Sequence, residues 1–286
     1  MRMPGEPRER LIAATYAGVP LRGVSTAGRE SWFHFPTLRL AFDVGRAPTE
    51  LLPVANLFLT HAHLDHASGL AYWCSQRRLH RMPGGVARTH PDAVPLWRDL
   101  LALHERLEGV RYDARVTPMA RGETVFLRRD LCVTAFLSDH RVPALGFLAS
   151  EVRRRLLPSF AGRGAGDIRA AVSRGETVSR EVPIPLVAYS GDTAAGFFDL
   201  APPEVFRAKL LLLECSFVEE RDRDRSRAWK HLHLAEIAER ADLFENEVLL
   251  LTHVTVRTSP EEIRKEIARR LPARLAERTV AFLPEP

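Results

Sequence analysis

Three cysteines in 286 residues are too few and too scattered to organise a fold. Cys74, Cys132 and Cys215 are odd in number and widely spaced, which argues against a disulfide framework and against a cysteine-based zinc site. Each reads as a small buried hydrophobe. Long apolar runs are missing too. No stretch of eighteen uncharged apolar residues occurs, and the opening MRMPGEPRERL lacks the apolar segment of a secretory leader. The expectation is a soluble, cytoplasmic protein with no membrane partner. Neither an internal repeat nor an extended low-complexity tract is evident, which excludes a solenoid.

What remains has an ordinary globular composition. Hydrophobic residues make up 45% and charged residues 27%, enough for a sizeable core. The net charge of +5 favours a polyanionic partner such as nucleic acid, although the Arg-rich stretches at 153–155 and 221–227 read equally well as solvated surface. Short apolar runs at 38–44, 56–59, 131–137, 185–189, 209–213, 247–251 and 279–283 predict strands. Helical spacing appears at 68–81, 92–108, 233–241 and 259–271. The last begins with Ser259 as a cap, Pro260 in the first turn and Glu261 and Glu262 at the positive end of the helix dipole. Strands and helices alternate without a compositional break, so a single α/β domain over 1–286 is expected. The Gly-containing segment 153–183, with a short helical piece at 168–173, reads as a projecting arm.

Several of these strands end in residues that bind metals. Directly after residues 56–59 comes Thr60-His61-Ala62-His63-Leu64-Asp65-His66, three imidazoles and a carboxylate within six positions. In extended backbone, residues two apart point the same way, so His61 and His63 can grip one cation while the following turn aims Asp65 and His66 at a second. Imidazole and carboxylate suit zinc, manganese or ferrous iron. One histidine alone reads better as a surface hydrogen-bonding group; four potential ligands packed this densely do not. His140, Asp192 and His253 follow other predicted strands in the same way, where open α/β sheets place their sites. Singly, His140 or Asp192 reads as a satisfied buried polar group or a turn residue. Their shared placement makes ligands of them. His34, His80, His90 and His104 lack that context.

The set Thr-His-Ala-His-Leu-Asp-His, His140, Ser-Gly-Asp192-Thr and Thr-His253 resembles the signature of the metallo-β-lactamase superfamily. Within it the chain is most similar to the short, plant-type ribonuclease Z family. That likeness is carried by Phe42-Asp43-Val44-Gly45-Arg46, by the segment from His140 to Phe147, by Leu213-Glu214-Cys215-Ser216-Phe217 and by Lys230-His231-Leu232-His233-Leu234-Ala235-Glu236-Ile237. The resemblance implies an αββα sandwich of two mixed β-sheets flanked by helices. It implies two Zn2+ per chain, with His61, His63 and His140 on one, Asp65, His66 and His253 on the other, and Asp192 between them. It further implies a homodimer that removes 3′ trailers from tRNA precursors.

By the same resemblance Asp65 orients or deprotonates the attacking water, and Glu214 with His231 protonates the leaving group. Without it, Glu214 reads as a charged strand-end residue and His231 as a surface histidine at a helix start. Arg141, Lys230 and Arg257 are candidate RNA contacts from charge and sequence proximity. Three other readings stay open: a phosphodiesterase for small cyclic or linear nucleotides, an acyl hydrolase of lactams, lactones or thioesters, and a noncatalytic RNA-binding scaffold. All seven ligands being present argues against the scaffold.

Overall fold

The leucine run Leu210–Glu214 is buried at every position, which a strand tolerates only where both faces are covered. That is its situation. Leu210 and Leu212 face a second sheet, while Leu211 and Leu213 face helices. In the computed structural model, which describes residues 11–283, two seven-stranded sheets pack face to face. The terminal positions of the domain expected over 1–286 lie outside the described residues.

The first sheet runs in sequence order through β1 (Ile12–Tyr16), β2 (Val19–Thr26), β3 (Glu30–Phe35), β4 (Leu40–Phe42), β5 (Asn56–Phe58), β6 (Val86–Thr89) and β7 (Arg115–Pro118). The second runs through β8 (Thr124–Arg128), β9 (Leu131–Leu137), β10 (Leu145–Leu156), β11 (Ser179–Tyr189), β12 (Leu210–Glu214), β13 (Val248–Thr252) and β14 (Thr279–Ala281). Both sheets are mixed in the same way. β1 to β4 and β8 to β11 pair antiparallel, and the strands that follow each group pair parallel.

Between the sheets lies an aromatic core in which Phe42 stacks on Phe147 and on Tyr189. Outside the first sheet Leu57 and Leu59 pack on the helices Leu70–Leu79 and Val94–Glu108 through Leu70, Trp73, Trp97 and Leu101. Outside the second, Leu249 and Leu251 pack on Pro260–Arg270 and Leu234–Glu239 through Ile263, Ile267, Leu234 and Ile237. The result is the αββα sandwich.

Capping follows the local chemistry. The Ser259 side chain accepts from the Glu262 backbone N–H at 3.2 Å, and Gly109 ends Val94–Glu108 in the left-handed region at φ 68°. The helix expected at 68–81 is present but starts late. It runs Leu70–Leu79, and a separate single turn, Leu64–Ala67, precedes it, because Gly69 donates its N–H to Gly45 at 2.7 Å and a Cβ there would lie 2.3 Å from the Ala47 nitrogen. Segment 153–183 is more regular than a loop. β10 and β11 stay paired out to Leu156 and Ser179, and the helix Ala165–Ser173 lies near the tip. Arg153, Arg154 and Arg155 are exposed or nearly so, since the ribbon there has outrun the sandwich.

The geometry ranks two substitutions. Leu212→Ala, in the sealed layer between the sheets, should cost about 2–5 kcal/mol of unfolding free energy. Arg154→Ala on the ribbon should stay within about 0.5 kcal/mol. Urea denaturation compares them, and equal midpoints would show that the layer is not the core.

Candidate metal centre

Strands β4, β5, β9, β11, β12 and β13 all finish at one edge of the sandwich, and the residues just beyond them meet there. Asp43 follows β4, Thr60 to His66 follow β5, His140 follows β9, Asp192 follows β11, Glu214 closes β12, and His253 follows β13. Potential ligand atoms of His61, His63, His140 and Asp192 lie within 4.8 Å of one another, as do those of Asp65, His66 and His253. Asp192 joins the two groups. Its Oδ1 is 3.2 Å from His66 Nε2, and its Oδ2 is 3.8 Å from His61 Nε2 and 3.5 Å from His253 Nε2.

Backbone conformation makes this convergence possible. Gly191 sits at φ 63°, and a Cβ on it would lie 2.7 Å from Thr60 Cβ, so only glycine lets the loop carry Asp192 across to His61. Asp43 and His253 adopt left-handed backbone without being glycine, at φ 54° and 56°. Such strain concentrates where surrounding bonds hold it. His253 is held by its N–H, which donates to Ser25 Oγ at 2.8 Å.

The hydrogen-bond network also assigns the tautomers. Thr60 donates its hydroxyl to Asp43 at 2.9 Å, so His61 Nδ1–H donates to Thr60 Oγ1 at 3.0 Å. His66 Nδ1–H donates to Asp43 Oδ2 at 2.7 Å, and His140 Nδ1–H to the Lys230 carbonyl at 3.0 Å. Ser216 gives its hydroxyl proton to Glu214 at 2.5 Å, so His253 Nδ1–H donates to Ser216 Oγ at 2.9 Å. With Nδ1 the donor in each, the neutral form of all four rings turns an Nε2 lone pair toward the cluster. Asp43 accepts besides from the Tyr189 hydroxyl at 2.9 Å and from the Thr60 N–H at 2.7 Å.

Those inward atoms fit a cation. His61 Nε2, His66 Nε2 and Asp192 Oδ1 are buried and have no hydrogen-bond partner among the described residues, a costly condition that a metal relieves. Burial holds His61 well below its usual pKa, with His66 adding to the effect, and burial lowers His63 as well. His140 falls to about 4 through burial, despite Asp192 nearby. Neutral imidazoles are the form that ligates. Burial alone would raise Asp192, but His253, His66 and His61 hold its carboxyl well below the usual carboxylate range. His66 behaves differently: burial opposes its protonation, yet Asp192 and Asp43 outweigh it and raise the pKa well above 6.5. That proton must leave before Nε2 can ligate, so metal loading releases protons. The cluster is a site for divalent metal.

At its rim His231 Nδ1–H donates to Glu214 Oε1 at 2.9 Å, and the ring stacks on His253 with centroids 5.2 Å apart. Glu214 is fully buried and also accepts from the Leu232 N–H at 2.7 Å. Burial pulls His231 down, but Glu214 more than compensates, and its pKa rises to about 8. The candidate RNA contacts fare unequally. Arg257 lines a cleft of about 330 Å³ that opens beside His231 and His253. Arg141 sits over the Trp229 ring, 5.2 Å from its centroid. Lys230 is already engaged, with Nζ on Asp139 at 2.9 Å, and its backbone carbonyl rather than its charge serves the site. Sequence reasoning overlooked Asp43, Thr60, Tyr189 and Ser216 as organisers; the signal for Asp43 stood in the segment Phe42 to Arg46, which the resemblance had already singled out.

Comparison with known proteins agrees with this geometry. The model of the beta-lactamase superfamily domain matches residues 32–254, a span that holds every member of the cluster. tRNase Z TRZ1 of Arabidopsis thaliana is 29% identical over 91% of this chain and 94% of its own length. The chloroplastic tRNase Z TRZ2 of the same plant is 30% identical over 92% of this chain and 76% of its own. The crystal structure of human tRNase Z, short form, superposes with a TM-score of 0.53 at 19% identity, covering 85% of this chain and 90% of that one. That likeness speaks for the fold. Coverage, identity and the shared fold together place one conclusion on firm ground: the chain belongs to the metallo-β-lactamase superfamily and, within it, to the ribonuclease Z family.

Proposed function

We propose that this protein is a metal-dependent endoribonuclease that removes 3′ trailers from tRNA precursors. The observation that carries the reading is the Glu214–His231 pair set at the rim of a buried His/Asp cluster, in a chain whose curated relatives are named tRNase Z. His61, His63 and His140 would hold one Zn2+ and Asp65, His66 and His253 a second, with Asp192 available to both; Mn2+ or Fe2+ suits the same ligands. Bound cations of this kind lower the pKa of water and offset charge on phosphate oxygens. The homodimer expected from the resemblance belongs to the same proposal.

The chain's own groups then handle protons and position. Asp65 is the carboxylate placed to orient the attacking water and take its proton. His231, charged at neutral pH because Glu214 lies against its Nδ1, has Nε2–H free to give to the departing 3′ oxygen. Glu214 keeps that imidazolium charged and turned outward.

Three substrates offered in parallel to metal-loaded protein test the reading: a 3′-extended tRNA precursor, a simple aryl phosphodiester and a β-lactam. A cut at one bond beside the discriminator base is expected. Turnover of the aryl phosphodiester alone would make it a small-nucleotide phosphodiesterase, and lactam turnover alone an acyl hydrolase. His231→Ala should keep its metal, by elemental analysis, while kcat falls about 100- to 10,000-fold. An unchanged kcat removes the acid role. The acid works in its protonated form, so activity is present below about pH 8 and lost above it. Glu214→Gln takes away the charge that raises His231, and the alkaline limb of the kcat profile should move to lower pH; a limb that stays put means another group titrates.

A further inference from the structure

Of the four tryptophans, three are core residues: Trp32, Trp73 and Trp97 are 2%, 0% and 8% exposed. Trp229 is 52% exposed. An aromatic side chain of this size normally buries its apolar surface, and one left half in water invites another explanation. Its surroundings are specific. Trp229 ends the helix Arg223–Trp229, and the next residue, Lys230, turns sharply through left-handed backbone at φ 58°. That turn delivers His231 to Glu214 and leaves the indole lining the same cleft as His231 and His253. The Arg141 guanidinium occupies one side of the ring. A ring has two faces, and Arg141 takes only one.

The cleft has the composition of a site for an unpaired nucleotide. Trp229 supplies exposed aromatic surface, the largely buried Phe217 forms part of the wall, and Arg225 and Arg257 supply positive charge. Arg257 has no carboxylate partner among the described residues, whereas Arg225 reaches Asp222 at 3.4 Å. Aromatic platforms flanked by arginine hold single-stranded bases without demanding a particular sequence, since every base offers a π face. A base inside a helix is already stacked on both sides and has no face to give.

We infer that Trp229 is a specificity-determining residue that stacks the unpaired base of the nucleotide immediately 5′ of the scissile phosphate, clamping it between cleft and metal centre. This deepens the endonuclease reading above and rests on it. The side is set by proton transfer: the leaving oxygen is the O3′ of that upstream nucleotide, His231 protonates it, and Trp229 shares a cleft with His231. The nucleotide downstream keeps the phosphate on its O5′, and the attacking water approaches the phosphorus opposite the departing O3′. Selection at this position is thus for a base that is single-stranded, with little preference among the four.

Two precursors test the inference, one natural and one abasic at the nucleotide 5′ of the cut. Trp229→Ala should lower kcat/KM on the natural precursor by about 5- to 150-fold, the range of one base–aromatic stack. On wild type the abasic precursor should lose a similar factor, and combining variant with abasic RNA should cost little more than either alone. Trp229→Phe should restore most of the activity. If Trp229→Ala costs as much on the abasic precursor as on the natural one, the indole acts only by shaping the protein, and the inference fails. A separate readout does not need cleavage. A single-stranded oligonucleotide added to the full chain should quench tryptophan fluorescence in wild type and not in Trp229→Phe, because the other three indoles are buried. A quench that is absent from wild type, or that survives in Trp229→Phe, also overturns the inference. Should wild type leave the natural precursor uncut, the endonuclease reading falls by that result, and stacking is decided by the fluorescence alone.

Discussion

A buried carboxylate ties the two sheets together at the metal edge. Asp43 comes from the first sheet, Tyr189 from the second, and the bond between them crosses the sandwich. The same carboxylate fixes Thr60 through two of its groups and His66 through its ring. Burying a charge is expensive unless every lone pair finds a donor, and here the donors supply that compensation. The Tyr189 phenol stays protonated, since burial and then Asp43 push its pKa well above 10, so it remains a donor. From this hub the orientation of His61 follows through Thr60, and that of His66 directly. Withdrawal of any one partner would leave a charge in the core with an unmet lone pair.

The second half of the site has its own hub of the same kind. Glu214 receives the Ser216 hydroxyl, the Leu232 N–H and the His231 ring, and Ser216 passes the constraint on to His253. One carboxylate thereby orients both the His253 and His231 rings. The two are coupled in position but distinct in electrostatics. His253 faces the cluster, where Asp65 and Asp192 converge, whereas His231 is drawn to the rim and held in its charged form. Their rings stack at the rim of the cluster.

Much of the centre could be read from the chain because its densest part is local. His61, His63, Asp65 and His66 fall within one strand end and one turn, so spacing alone sets their relative directions. His140, Asp192 and His253 were reachable by a weaker rule, that buried apolar runs end in functional residues at one edge of a sheet. Asp43 obeyed the rule as well but looked like any acidic residue after a strand. Trp229 gave no sign, since whether a tryptophan is core or surface depends on what packs against it. Strands β1 and β6 to β8 were also hidden, being short or half-exposed; β2 and β3 are largely buried but interleave polar residues such as Arg22, Ser25, Glu30 and His34, and β10 was disguised by the arginines of its projecting end.

The chemistry of the ligands, the caps of the helices and the apolar runs that must be covered on both faces were determined by the sequence itself, because each depends on residues a few positions apart. Pairing of the strands, the crossing of Asp43 to Tyr189, the tautomers of the four rings and the exposure of one indole beside the cleft were decided only by tertiary structure. Those depend on distances between residues far apart in the chain, and no local pattern encodes such distances.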